Sequence, residues 1–180
     1  KALEPYYPLF VEEPVLPENV DEMVRVSRST TIPIAAGERL FTKFGFRELI
    51  EKQAVSVVQP DLCHCGGIFE ARKIAAMAET YYMQIAPHNP LGPISLAACM
   101  QLDACVPNLL AQEHPGMPDH ADLGVGILKT PFKIEDGYIR IPEGPGLGIE
   151  VDESKLDALR FDGTWDTPHL EFEDGSIADW

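Results

Sequence analysis

Five ionisable side chains occupy corresponding places in the first two thirds of the chain, each just after a short apolar segment. They are Glu12, Glu38, Asp61, His88 and Glu113. Carboxylates are the ligands that a hard divalent cation prefers, and a histidine next to a carboxylate can take up a proton near neutral pH. These residue types at these places predict a site that combines a metal ion with a base.

The apolar segments before these residues are typical of strands in a parallel sheet. Such strands are covered on both faces, and in an α/β barrel their carboxyl ends open onto the active-site face. Five strands are predicted, within 8–11, 32–37, 55–60, 83–87 and 108–112. Helices are predicted after the first four, at 17–29, 44–52, 67–81 and 93–105. The alternation predicts four βα units and one further strand of a barrel.

The chain changes character after residue 114. Gly and Pro become frequent over 115–126 and 142–148, and Asp136-Gly137 predicts a tight turn in a hairpin between 132–134 and 138–141. A short strand and helix are expected over 149–160, before an acidic, aromatic tail. We therefore divide the chain into a barrel portion, 1–114, and a hairpin and tail, 115–180, that pack on it.

The length of the chain conflicts with a complete barrel. A barrel of this kind usually needs about 250 residues, and this chain has 180 and opens on Lys1. Five strands of an eight-stranded ring leave two open edges, which favour pairing with another chain. We therefore expect a part of a larger protein or assembly, and a homo-oligomer.

Composition excludes several classes of partner. There are 14 basic and 29 acidic residues, a net charge of −15, and the Lys/Arg clusters that bind nucleic acid are missing. No apolar run approaches the roughly 18 residues of a membrane span. The four cysteines lack the spacing of a zinc site. His114, His120 and His169 are expected to be ordinary surface or interface groups. A soluble cytoplasmic enzyme with a small-molecule substrate is expected.

Several motifs together resemble the carboxyl-terminal part of the mandelate racemase branch of the enolase superfamily. They are Val11-Glu12-Glu13-Pro14, Ala36-Gly37-Glu38-Arg39, Gln59-Pro60-Asp61, the histidine motif at 86–93, Gln112-Glu113, Pro145-Gly146-Leu147-Gly148 and the ending at 173–180. The resemblance covers nearly the whole chain. It implies the last five strands of a TIM-type (β/α)7β barrel, without the family's amino-terminal capping domain. The histidine motif and the ending are most similar to the acid-sugar dehydratases of that branch.

The resemblance also implies roles for the five side chains. Glu12 and Glu38 would be two of three carboxylate ligands of Mg²⁺, with Glu13 in a supporting role. His88 would be the general base that removes the proton next to the substrate carboxylate, with Asp61 orienting its ring. Glu113 would stabilise the resulting enediolate. The implied reaction is the loss of water from a sugar acid, with D-galactonate as the expected substrate.

The family's third metal ligand and its general-acid histidine would both precede Lys1. The chain alone is therefore expected to bind Mg²⁺ weakly and to have little or no dehydratase activity. Two alternatives stay open at this point. The protein could be another acid-sugar dehydratase or a racemase of the same branch, or a non-catalytic half-barrel that self-associates through its open edges.

Overall fold

Strands and helices alternate along the first hundred residues of the computed structural model, which describes residues 1–161, 163 and 170–178. The elements in this part are β1 Val11–Glu12, α1 Val20–Ser29, β2 Ile34–Ala36, α2 Thr42–Glu51, β3 Val57–Val58, α3 Leu62–Cys65, α4 Gly67–Glu79, β4 Gln84–Ile85 and α5 Pro93–Asp103. Farther along the chain are β5 Ile134–Glu135, β6 Tyr138–Ile139 and α6 Glu153–Leu156. Short 3₁₀ turns lie at Glu4–Tyr6, Ala121–Leu123 and Asp157–Leu159.

The first four strands form one parallel sheet in the order of the sequence, β1-β2-β3-β4. Parallel neighbours that follow one another through helices are the βα units predicted above. The strands are shorter than predicted because a Pro or Gly soon follows each of them, at Pro14, Gly37, Pro60 and Pro87. Proline has no N–H to continue the ladder, and Gly37 leaves the extended conformation with φ of 146°.

The predicted fifth strand is reduced to one parallel bridge. Ile85 pairs with Leu109, the Ile85 N–H donates to Asn108 O over 2.8 Å, and the Leu110 N–H donates to Ile85 O over 2.7 Å. The segment therefore lies next to β4 and continues the order of the sheet, although it does not form a longer ladder.

The predicted helices are present with shifted ends, and one additional helix was not predicted. α1 begins at Val20, three residues after Pro17, because the Asn19 side chain accepts a hydrogen bond from the Glu22 N–H (3.1 Å). The additional helix, α3, is one turn long and is capped by Asp61, which accepts from the Cys63 N–H over 2.7 Å. Asp61 is thus both a helix cap and a predicted site residue.

The apolar faces of the helices pack against the sheet and form the core. Its largest fully buried side chains include Met23, Ile34, Phe46, Leu49, Ile50, Ile74, Ile85 and Leu102. These come from α1, α2, α4 and α5 and from the strands between them, so burial of apolar area holds the strand ends in place. In the part of the chain that the structure describes, no helix is long and apolar enough to cross a membrane.

The predicted hairpin is confirmed as β5 and β6, which pair antiparallel. Asp136 and Gly137 have φ of 52° and 82°, as the turn requires. The expected strand within 149–160 is one antiparallel bridge between Leu128 and Val151, and the expected helix is α6. Part of the predicted tail, residues 162, 164–169 and 179–180, lies outside the described residues. The division at residue 114 stays a prediction.

Asp103, the last residue of α5, gives a stability prediction. Burial raises the pKa of its carboxyl group to about 7, and its Oδ1 has no hydrogen-bond partner among the described residues. The folded chain therefore holds this proton more tightly than the unfolded chain, so the free energy of unfolding falls as pH rises through the window from about 4 to about 7.

Asp103→Asn is expected to remove this loss, and to raise the free energy of unfolding by about 1–2 kcal/mol at about pH 8 but not at about pH 4. The measurement is urea unfolding of both proteins at the two pH values, since the difference between the curves cancels the other titrating groups. An equal gain at both pH values would contradict the assignment of the proton to Asp103.

Candidate active site

The centre of the site is a hydrogen bond between two side chains that follow neighbouring strands. Val58 of β3 pairs with Ile85 of β4, and Asp61 and His88 each lie three residues further along. The parallel register therefore brings them level at the carboxyl edge of the sheet. His88 Nδ1 lies 2.9 Å from Asp61 Oδ2.

The electrostatics of this pair decide which atom carries the proton. Burial by itself would raise the pKa of Asp61, but hydrogen bonds from His88 and from the Cys63 N–H outweigh it and lower that pKa. Asp61 is thus an ionised acceptor, and His88 Nδ1 must donate to it. Donation from Nδ1 leaves His88 Nε2 as the nitrogen that can exchange a proton with a substrate.

Glu38 approaches the other nitrogen of the same ring. Its Oε2 lies 3.2 Å from His88 Nε2. Burial opposes charging of the His88 ring, but the hydrogen bond to Asp61 and the charges of Glu38 and Glu113 outweigh it, so the pKa of His88 is raised. The ring therefore lies between two carboxylates that favour a bound proton.

Glu12 lies near the same edge, at the end of β1. Its Oε1 accepts a hydrogen bond from Gln59 Nε2 over 2.8 Å. Burial raises the pKa of Glu12, the hydrogen bond from Gln59 opposes that rise, and the charges of Glu113 and Glu38 add to it. A cavity of about 460 Å³ lies beside Glu12 and Glu38 and is also lined by Glu13, Pro14, Val15 and Leu16.

Glu113 completes the group. Its Oε2 accepts from the Asn89 N–H over 2.7 Å, and Asn89 Nδ2 donates to Glu113 O over 3.4 Å. The structure thus places all five predicted side chains at one edge of the sheet, in direct contact or within range of one another's charge. The roles proposed for them stay predictions.

The residues present suit part of a divalent-cation site. Glu12 and Glu38 offer hard oxygen donors, both line the cavity, and the charge of Glu38 raises the pKa of Glu12. In the described part of the chain, however, no three His, Cys, Asp or Glu side chains are grouped so that they could hold a metal ion together. Glu12 and Glu38 could therefore supply two ligands of a divalent cation, and further ligands would be needed to complete the site.

Sequence reasoning gave no role to several polar side chains that position the site. Gln59 is 3% exposed and holds Glu12, Asn89 is fully buried and holds Glu113, and His64 Nδ1 lies 3.3 Å from Glu38 O. A signal was available, because Gln59 directly follows β3, Asn89 directly follows His88, and His64 lies in the helix that Asp61 caps. Amides and imidazoles at such places are suited to orient carboxylates.

The fold and the site define a class. A row of parallel strands, each followed by a helix, with acidic residues and a carboxylate-bound histidine at their carboxyl ends, is part of a (β/α) barrel of the enzyme type. The family described as "Enolase C-terminal domain-like" matches residues 1–155, and the chain belongs to that family. The resemblance stated from the motifs, and the assignment to part of a TIM-type barrel, are thereby confirmed.

Sequence identity and structural superposition with individual relatives support this family membership. The chain is 47% identical over 186 aligned positions to a D-galactonate dehydratase of Variovorax paradoxus (strain S110), covering 100% of this chain and 48% of the relative. A D-galactonate dehydratase of Ralstonia pickettii (strain 12J) gives the same identity and coverage. The crystal structure of a mandelate racemase/muconate lactonizing enzyme from Sulfitobacter sp. superposes with a TM-score of 0.85 at 43% identity, covering 99% of this chain and 43% of that one. The chain thus spans about half the length of the curated relatives it matches.

Proposed function

We propose that this chain carries the proton-abstracting part of an acid-sugar dehydratase that converts D-galactonate to 2-dehydro-3-deoxy-D-galactonate. The observation that carries the proposal is the buried contact between His88 and Asp61, with Glu38 on the other ring nitrogen. The D-galactonate dehydratases at 47% identity support the choice of substrate. A small-molecule substrate and a homo-oligomeric assembly belong to the same proposal.

His88 would act as the base. Asp61 fixes the ring through Nδ1, so Nε2 takes the proton from C2, the carbon next to the substrate carboxylate. The imidazolium that forms donates from Nδ1 to the Asp61 carboxylate, which stabilises its charge. A general acid, which the family resemblance places before Lys1, would then protonate the 3-hydroxyl so that it leaves as water. The enol that remains loses its hydroxyl proton, gains a proton at C3 and so becomes the 2-keto acid.

Glu113 would stabilise the negative charge of the enediolate that forms when the C2 proton leaves. The Asn89 N–H holds its carboxyl group at a fixed place, from which a protonated carboxyl could donate a hydrogen bond to the enediolate oxygen. Glu12 and Glu38 would hold Mg²⁺ together with further ligands. When bound, the ion would neutralise charge on the substrate carboxylate and so make the C2 proton more acidic.

The test uses a hybrid protein, in which this chain replaces the matching half of the Variovorax paradoxus dehydratase. We expect the hybrid to dehydrate D-galactonate with a kcat within the common range of about 1–1,000 s⁻¹, and to lose that activity when Mg²⁺ is removed with a chelator. The 180-residue chain by itself is expected to show little or no turnover. Formation of the 2-keto acid is the measured quantity.

The control panel separates the candidates that share the first step. It contains the C2 epimer and other sugar acids, and each reaction is also run in deuterated water to detect C2 exchange without loss of water. Exchange without dehydration would favour a racemase and contradict the proposal. A folded hybrid that neither exchanges nor dehydrates any substrate would contradict it as well.

A further inference from the structure

His114 and Asp122 form a second histidine–carboxylate pair, apart from the five residues above. His114 Nδ1 donates to Asp122 Oδ2 over 2.9 Å, which are the same atoms and the same distance as between His88 and Asp61. Asp122 is 1% exposed. His114 is expected from the sequence to be an ordinary surface or interface group, and the structure shows instead a side chain that is 28% exposed and paired with a buried carboxylate.

Asp122 is a charged anchor for the loop that follows Glu113. Its Oδ2 also accepts from the Gly116 N–H over 3.0 Å. Burial by itself would raise the pKa of Asp122, but the hydrogen bonds from His114 and Gly116 outweigh it and lower that pKa. One buried carboxylate thus closes the chain from 114 to 122 into a compact loop.

The anchor itself is attached to α5. Asp122 lies in the 3₁₀ turn Ala121–Leu123, and Leu123 is buried against Leu96 and Met100 of that helix. The Phe132 N–H donates to Leu123 O over 2.8 Å and ties the turn to the segment that leads into the hairpin. The position of Asp122 is therefore set by packed apolar side chains and not by the loop.

Glu113 is held on its other side by the segment that begins the same helix. Its Oε2 accepts from the N–H of Asn89, a fully buried residue four positions before the first residue of α5. His114 follows Glu113 directly in the chain. Glu113 therefore lies between two attachments, Asn89 and the His114–Asp122 pair, that both lead to α5.

We propose that His114 and Asp122 are positioning residues for Glu113. The pair fixes the backbone at 114, and the fixed backbone keeps the Glu113 carboxyl group at the distance where Asn89 can donate to it. The effect of the His114–Asp122 pair on catalysis rests on the proposed function. The effect of the pair on the Asn89–Glu113 hydrogen bond does not. The competing interpretation is that the pair only closes the loop.

The first measurement follows the exchange of the Asn89 amide proton by NMR in the 180-residue chain. His114→Ala removes the donor to Asp122 and is expected to speed exchange at Asn89 by about tenfold, with amides in the middle of α5 unchanged. His114→Asn places an amide nitrogen where Nδ1 was and should restore slow exchange. Asp122→Asn keeps one acceptor oxygen and should give an intermediate rate.

His120→Asn is the matched control, because His120 lies on the same loop and asparagine tolerates its left-handed backbone (φ 56°). It should leave exchange at Asn89 unchanged. Unchanged exchange at Asn89 in a folded His114→Ala chain would overturn the proposal, and so would equal acceleration throughout α5, which would show general loosening.

In an active hybrid, His114→Ala should lower kcat about tenfold and change KM much less, because Glu113 acts on the developing charge. A lower affinity for substrate at an unchanged kcat would overturn the catalytic part. If the unsubstituted hybrid has no activity, the proposed function fails while the exchange result still decides the positioning of Glu113.

Discussion

Replacing His88 by asparagine is expected to lower kcat of the hybrid for D-galactonate about 1,000-fold, with a much smaller change in KM. Asparagine can still donate to Asp61 from the place of Nδ1, where the ring now lies 2.9 Å away. It has no atom at the place of Nε2 that could accept the C2 proton. The substitution thus removes the base and keeps the local hydrogen bond.

The same variant gives a second, more direct measurement. Exchange of the C2 proton with deuterated water should fall by the same factor as dehydration, because both need the proton to leave C2. Asp61→Asn should also lower the rate, by about 100- to 10,000-fold, since it would hold the ring in the wrong tautomer. The two variants together test the pair as one unit.

His64→Asn is the control for this experiment. His64 lies next to the same carboxylate, with Nδ1 at 3.9 Å from Asp61 Oδ2, but its side chain is 48% exposed. Asparagine can keep the contact with Glu38 O from the place of Nδ1, so His64→Asn should leave the rate of C2 exchange within a factor of about ten. If the His88→Asn hybrid kept more than about a tenth of its exchange rate, His88 would not be the base.

Replacing Gly37 by alanine is expected to lower the free energy of unfolding by about 3 kcal/mol. Gly37 has φ of 146°, and a Cβ there would lie 2.9 Å from Gln59 N, 2.9 Å from Gln59 O and 2.9 Å from Phe46 Cε1. The backbone atoms of Gln59 belong to the chain leaving β3 and cannot move without disturbing the sheet. The clash would therefore displace either β3 or the turn that presents Glu38.

The measurement is urea unfolding of the chain, with Gly45→Ala as the matched control. Gly45 lies inside α2, where the nearest atom to a new Cβ is Leu40 Cβ at 3.8 Å. The same change there should stabilise the chain by about 0.5–1 kcal/mol, because alanine is the better helix former. A Gly37→Ala chain as stable as the parent would show that β2 and β3 are not packed as closely as described.

The sequence predicted that the five side chains would lie together at one edge of the sheet, because that depends only on the order of the strands and on residue type, while their roles stay predictions. An apolar run that ends in Glu12, Glu38, Asp61 or His88 is a local pattern, and parallel strands with right-handed crossovers bring such ends to one edge regardless of detail. The fifth strand was predicted by the same rule and is only a bridge at Leu109. A strand needs a partner in register over several residues, and no local pattern specifies that length.

The sequence by itself determined the parallel βα architecture, the hairpin at Asp136-Gly137 and the five ionisable side chains at the strand ends. Each of these depends on residues close together in the chain. Only the tertiary structure decided which polar groups hold them. Gln59 meets Glu12 across 47 positions and Asn89 meets Glu113 across 24. The His114–Asp122 pair depends on where Leu123 packs on α5. Such contacts follow from register and from the packing of apolar side chains, which set the distances between segments that no sequence spacing records.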